Sequence, residues 1–414
     1  MDIGSNGPSK TSSHPFLRRQ GLSLNLDVPE VASPGVLGDK AQALLYSRYG
    51  GQKQAKEGKG YAYGALGLLA QHTSYYDGFG ILLSMHQSAA VALRQSEMQA
   101  TRVVFDEQLT RGATGGSGRP NRSVQKVVSW QRLVERVLNK FLPANTPVDV
   151  AIVSNVPASC LESLIAAVAV ALVKAAYNFQ QLPLPENIVE DIRQTIVEAI
   201  DSDFSKAFVM VSMDMHPGKL CILDTLTAEI IPFDVPAREQ LAWVLIEVDE
   251  DTPQDFNFYQ QLGEQGREAL ELLRQDNSFD LDSFRDVQHE DLPRVLNALP
   301  PKYRFIVRHL INENKRVQVM IGAIRNEDWQ KLGGLLFISH SSVSNEWKGS
   351  SQLIDQVVAE AENMSSDGVH GACMTGRGGA IVVVGLPLAL SNLVAEVERQ
   401  LESSHQAAPK YWLL

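Results

Sequence analysis

The run Gln71-His72-Thr73-Ser74-Tyr75-Tyr76-Asp77 gathers an amide, an imidazole, two hydroxyls, two phenols and a carboxylate into one short stretch. Such groups donate and accept hydrogen bonds and suit a small polar ligand. The apolar lead-in before the run and Asp77-Gly78 at its end read as a strand entering a loop that presents these side chains. His72 has two readings, a ligand contact or a packed core side chain. A second candidate is Ser159-Cys160-Leu161-Glu162, placed before an apolar run. Ser with Glu three residues on is the capping-box pattern, in which each side chain satisfies the other's backbone donor. The alternative makes Cys160 or Glu162 a reactive group, although a buried free cysteine is usually inert. The third candidate is the glycine loop Thr375-Gly376-Arg377-Gly378-Gly379. Its Arg377 either grips an anionic ligand with a fork of donors or pairs with Glu162. Asp214 and His216 offer two metal ligands without a third at readable spacing, so a turn is the better reading and no metal site is expected.

These groups need elements to hold them. Residues 1–38 are rich in Ser, Gly and Pro and read as a flexible leader; 110–123 is a second loose stretch, followed by a helix-like run over 124–142. A strand is predicted over 148–154, then a helix over 164–179 that is apolar all round and therefore buried. Further strands are predicted at 207–213, 219–224, 241–249 and 380–386, with amphipathic helices at 255–275, 303–325, 351–364 and 387–403. Strands and helices mix without strict alternation, which predicts an α+β fold. A length of 414 residues suits two or three domains or one large intertwined pair, and 44% hydrophobic residues suffice for a full core. A net charge of −11 argues against a broad nucleic-acid or anionic-membrane surface. The three cysteines (Cys160, Cys221, Cys373) are scattered, which argues against a disulfide framework or a zinc site. No apolar run reads as a membrane span and no secretory signal is visible, so a cytoplasmic protein is expected.

Residues 63–85, YGALGLLAQHTSYYDGFGILLSM, resemble the first motif of the galactokinases, members of the GHMP kinase superfamily, which reads approximately PGRVNLIGEHTDYNDG. The resemblance continues in order. SNVP and an alanine-rich helix (154–175) stand in the place of the second motif, and SFRDVQHEDL (283–292) and RHLINENKRV (308–317) are similar to the middle region. LGGLLFISHSSVSNEWKGSSQLIDQVVAEA (332–361) resembles a later family segment, and GVHGACMTGRGGAIVVV (368–384) resembles the third motif, GarmTGgGFGGC. Coverage runs from about residue 42 to 403. The resemblance implies a two-lobed GHMP-kinase-like α+β fold with nucleotide and sugar in the cleft between the lobes, here read as 39–235 and 236–414 behind the leader.

The same resemblance implies a changed site. Where the family carries Arg, Glu and Asp in its first motif, this chain has Ala65, Gln71 and Ser74; His72 and Tyr75 match. The implied ligand set is Gln71, His72, Ser74, Tyr75, Asp77, Tyr259 and Arg377. The family's phosphate loop, PIGAGLSSSA, is replaced by PASCLESLIAA (157–167), shorter by about two residues and without glycine, although close backbone approach to phosphate needs positive φ. Ser159, Cys160 and Glu162, with Gly376, Gly378 and Gly379, would line that former phosphate loop. The third motif is shortened by a similar amount, which favours the pairing of Arg377 with Glu162. The family's catalytic base falls on Phe208 or Val209. Ordinary galactose 1-phosphorylation is therefore not expected. Two functions stay open: binding of a small polar metabolite by a sensor, partner-binding protein or enzyme of new chemistry, or a divergent ATP-dependent small-molecule kinase. Only the second calls for ATP and magnesium, and a protein partner is open under the first.

Overall fold

The computed structural model describes residues 33–51, 55–69, 72–107, 109, 129–214, 217–248, 256–276, 278–377, 379–404 and 406–414. Leader residues 1–32, the stretch 110–123, Gln71, His216 and Gly378 lie outside the described residues. The leader was expected to reach residue 38, but helix α1 (Pro34–Tyr49) already begins at Pro34, with the Ser33 hydroxyl accepting from the Val36 N–H.

Strands β1 (Glu57–Leu69) and β2 (Phe79–Gln95) form a long antiparallel hairpin whose tip carries the polar residues 72–77. β2 also pairs with β4 (Val148–Ser154) and β5 (Lys219–Asp224). β3 (Arg102–Phe105) and β6 (Glu229–Asp234) complete the sheet, in the order β3-β4-β2-β5-β6 with β1 on β2. Helices α2 (Trp130–Phe141), α3 (Leu161–Gln180), α4 (Ile188–Ile200) and α5 (Lys206–Asp214) belong to this lobe. Helix α3 lies directly on the β1 backbone, because a Cβ at Gly58 or Gly60 would meet the carbonyl oxygens of Ala175 and Ala171 at 2.3 and 2.1 Å. By length and composition α3 could cross a bilayer, contrary to the sequence expectation, yet 83% of its most apolar window is buried inside the protein. It is the buried central helix predicted for 164–179.

Helix α5 corrects a second expectation, since 207–213 was predicted as a strand. Ala207 to Val211 are all buried, so the run shows no polar alternation to separate a period of two from a period of 3.6. The other predicted strands and helices form with small shifts at their ends.

The second lobe has a sheet of β7 (Ala242–Glu247), β8 (Val369–Thr375), β9 (Ala380–Gly385) and β10 (Lys410–Leu413), in the order β10-β7-β9-β8. Helices α9 (Trp329–Ser342), α10 (Gln352–Asn363) and α11 (Pro387–Ser403) pack on this sheet, while α6 (Phe256–Gln275), α7 (Leu292–Ala298) and α8 (Pro301–Arg325) share a separate apolar cluster. One core joins the lobes: Val91 and Ile152 of the first sheet belong to the same apolar cluster as Leu245 and Val382 of the second. The architecture is two-lobed α+β, and the β1–β2 tip, the start of α3 and the β8–β9 turn converge where the lobes meet.

Candidate functional site

The β1–β2 tip is a single 3₁₀ turn, Thr73–Tyr76, ended by Asp77 in the left-handed conformation (φ 55°). Gly78 donates its N–H to the Thr73 carbonyl at 3.0 Å, so the turn is tight and its orientation fixed. His72 is 3% exposed and stacks on Trp347, with ring centroids 4.5 Å apart and planes 16° from parallel. Its ring also lies 5.9 Å from Tyr259 and 5.7 Å from His309. Ser74 turns to Ser205, with the hydroxyl oxygens 2.7 Å apart. Asp77 is exposed, and its carbonyl accepts from Arg285 at 3.1 Å.

Helix α3 starts at Leu161 with Cys160 as its cap and no side-chain capping bond, so the expected capping box does not form. Ser159 instead donates to Glu247 of β7 at 2.6 Å, and a Glu162 oxygen lies 3.1 Å from Arg377 Nε. Ser159 has thus exchanged a neutral backbone acceptor role for a bond to a carboxylate, and Glu162 faces a guanidinium instead of a backbone N–H. Arg377 is 2% exposed. Its Nη2 donates to the Asp203 carbonyl at 2.8 Å and to the Tyr75 hydroxyl, its Nη1 reaches Ser202 Oγ at 3.3 Å, and its guanidinium carbon sits 4.4 Å from the Tyr259 ring centre. The Glu162–Arg377 pairing favoured from sequence therefore forms, and it ties α3 of one lobe to the β8–β9 turn of the other. Gly376 (φ 64°) and Gly379 (φ 81°) keep the positive φ that this turn requires.

Of the residues expected at the site, His72, Tyr75, Tyr259, Glu162 and Arg377 thus come together. Ser74, Ser159 and Cys160 are buried beside them but bonded or packed elsewhere, and Asp77 is at the surface. Among the described residues no three His, Cys, Asp or Glu side chains converge as a metal would require.

Known proteins resemble the chain along most of its length. It is 23% identical to the galactokinase of Thermotoga maritima over 329 residues, which cover 78% of this chain and 87% of that one. Identity to the Streptomyces coelicolor galactokinase is 27% over 379 residues, covering 85% and 89%. The crystal structure of Lactococcus lactis galactokinase complexed with galactose superposes with a TM-score of 0.76 at 19% identity, over 92% of this chain and 97% of that one. The chain thus resembles the galactokinases along most of its length and shares their fold. No family model matches it. The fold is also shared with a mevalonate kinase of L. major in complex with R-mevalonate, which gives a TM-score of 0.54 at 14% identity, covering 85% and 93%.

Burial sets the electrostatics where these side chains meet. It raises the Glu162 carboxyl above its ordinary value, opposed by the Arg377 charge and the Tyr75 hydroxyl. It pushes the Tyr75 and Tyr259 phenols far up, so both stay protonated. It also pushes up the Cys160 thiol, which leaves little thiolate and argues against a reactive cysteine. His72 is held well below its ordinary value by burial, then by His309 and Arg377, and is neutral at physiological pH.

The sequence reading missed His309, Trp347, Glu247 and the Ser202–Asp203 pair. His309 lies in α8 at core-face spacing with Ile306 and Leu310, and all three are buried. A polar ring on that apolar stripe was the available signal. Trp347, wholly buried, ends a one-turn π-helix (Val343–Trp347) in a stretch otherwise rich in Ser, Asn and Gly.

Proposed function

We propose that this galactokinase relative binds a small polar metabolite in the cleft between its lobes and does not phosphorylate galactose in the family's manner. On this reading it acts as a sensor, a partner-binding protein or an enzyme of new chemistry, and works in the cytoplasm. The carrying observation is the buried Glu162–Arg377 bridge, 3.1 Å long, at the start of α3 where the resemblance puts the nucleotide phosphates. A helix N-terminus attracts anions, and here a carboxylate already stands at it. Further support comes from Ala65, wholly buried at the family's arginine position, and from Phe208 and Val209, buried and apolar where the base aligns. Phosphoryl transfer depends on positioning and charge stabilisation, which those replacements cannot supply. The rings of His72, Tyr75 and Tyr259 support a ligand with hydroxyl or amide groups.

The test is calorimetry with magnesium-ATP alongside thermal shifts with sugars, polyols and amino acids. We expect no tight magnesium-ATP binding and a raised midpoint with one metabolite class, because a ligand that binds only the folded state must stabilise it. Galactose-dependent ADP release at ordinary kinase rates would overturn the reading. One observation favours the second function, a divergent ATP-dependent small-molecule kinase: Gly376 and Gly379 retain the backbone that can approach a phosphate. Tight magnesium-ATP binding would select it.

A further inference from the structure

We propose that His309 is a ligand-binding residue whose Nε2 accepts a hydrogen bond from a hydroxyl of a neutral ligand seated beside Trp347. The inference rests on the cleft-ligand reading above and adds the residue and the ligand class.

A short relay fixes the imidazole. Glu346 lies 3.7 Å from Arg308, and as a carboxylate it can only accept. The Ser342 hydroxyl donates its single proton to Glu346 at 2.6 Å. Its oxygen, 2.9 Å from His309 Nδ1, must then accept, so Nδ1 carries the proton and Nε2 the lone pair. His309 is 0% exposed, and its Nε2 has no hydrogen-bond partner among the described residues. Trp347 is also 0% exposed, and its Nε1–H likewise has no partner among the described residues. The two rings are 5.0 Å apart, and His72 stacks on the Trp347 face.

One buried acceptor and one buried donor therefore belong to neighbouring rings. Buried polar groups are rarely left unbonded in native proteins, because desolvation without a partner is costly. A hydroxyl both donates and accepts, so it matches His309 and Trp347 together. An anion would have no donor at Nε2, and a cation would sit in the same cleft as buried Arg377. Burial and Arg316 hold His309 well below its ordinary value, which keeps Nε2 available as an acceptor.

The experiment uses the full chain labelled with ¹⁵N-histidine and ¹⁵N-tryptophan, with His309→Gln and Trp347→Phe used to assign the signals. At neutral pH we expect His309 with its proton on Nδ1. Titration with D-galactose, myo-inositol and glycerol should move the His309 Nε2 and Trp347 Nε1 signals together for at least one probe. His309→Asn, which has no acceptor at the Nε2 position, should weaken that probe about tenfold, a loss of about 1.4 kcal/mol, with the thermal melt still cooperative. An Nε2–H tautomer, or a protonated ring at neutral pH, overturns the proposal. A probe that moves the His72 signals but not those of His309 overturns it while leaving the ligand reading intact. Silence of all cleft signals to every neutral probe refutes the ligand class, since the two polar atoms would then be served by water alone. Tight magnesium-ATP binding would sink the non-kinase reading without touching the tautomer result.

Discussion

Glu162 and Arg377 meet 3.1 Å apart across the two lobes, with side-chain exposures of 1% and 0%. A buried ion pair is weak evidence for net stability but strongly resists loss of one partner, which would leave the other charge buried alone. Arg377→Met should therefore cost about 3–5 kcal/mol. Glu162→Gln should cost less, because Arg377 keeps Tyr75, Ser202 and the Asp203 carbonyl. The double variant should recover much of the arginine loss. Urea unfolding of the four proteins in a double-mutant cycle checks this, and simply additive costs would contradict a coupled pair.

Ser159 separates the observed contact from the capping box that its sequence suggests. Its hydroxyl serves Glu247, which Lys410 also reaches at 2.8 Å. Ser159→Ala should cost about 1.5–3 kcal/mol, the range for a hydrogen bond to a charged group, reduced where Lys410 compensates. Amide exchange in the first turn of α3 should not change. Fraying confined to Leu161–Leu164 would point to a cap.

That contrast shows what was legible. The strand 148–154 and the helix 387–403 carry their own period, and both formed where they were read. The Glu162–Arg377 pair could be read because two loops shortened together and carried opposite charges. The capping box failed because local pattern could not weigh Glu247, a partner 88 residues away. The His72–Trp347–His309 cluster was invisible for the same reason, since three distant segments meet only in the folded chain. Where neighbours in space decide a side chain's bond, spacing along the chain gives no warning.

Acid should weaken the fold earlier than carboxylates alone would cause. His72 and His309 are both held well below 6.5 by burial. Below pH 6.5 the unfolded chain takes up a proton at each while the folded chain does not. Stability is then full above that pH and falls with acidification, by about 1.4 kcal/mol per pH unit for each proton. Glu162 opposes this, because its raised value lets the folded state hold the extra proton from 4.5 upward to its folded pKa. Two histidines outweigh one carboxyl, so the net slope stays positive. Asp224, held below 3.8 by Arg285, adds a further loss only at still lower pH. Urea midpoints at pH 7.5, 6.5 and 5.5 should decline, and His309→Gln should flatten the decline. A flat profile would count against buried neutral histidines.

Glu162 also decides what happens to ATP. In the wild-type protein its carboxylate stands at the N-terminus of α3 and is held by Arg377. An incoming triphosphate would meet that charge at the helix end it needs. Glu162→Gln removes the repulsion and leaves Arg377 with an amide as neighbour. Even so, tight binding should not appear, because PASCLESLIAA still lacks the glycines that let the backbone approach phosphate. Calorimetry with magnesium-ATP should show no tight binding to either protein, and at most a weak gain in the variant. The informative contrary result is tight wild-type binding that Glu162→Gln abolishes. Glu162 would then be a magnesium ligand in a site that opens the Arg377 bridge, and the chain would return to the kinases.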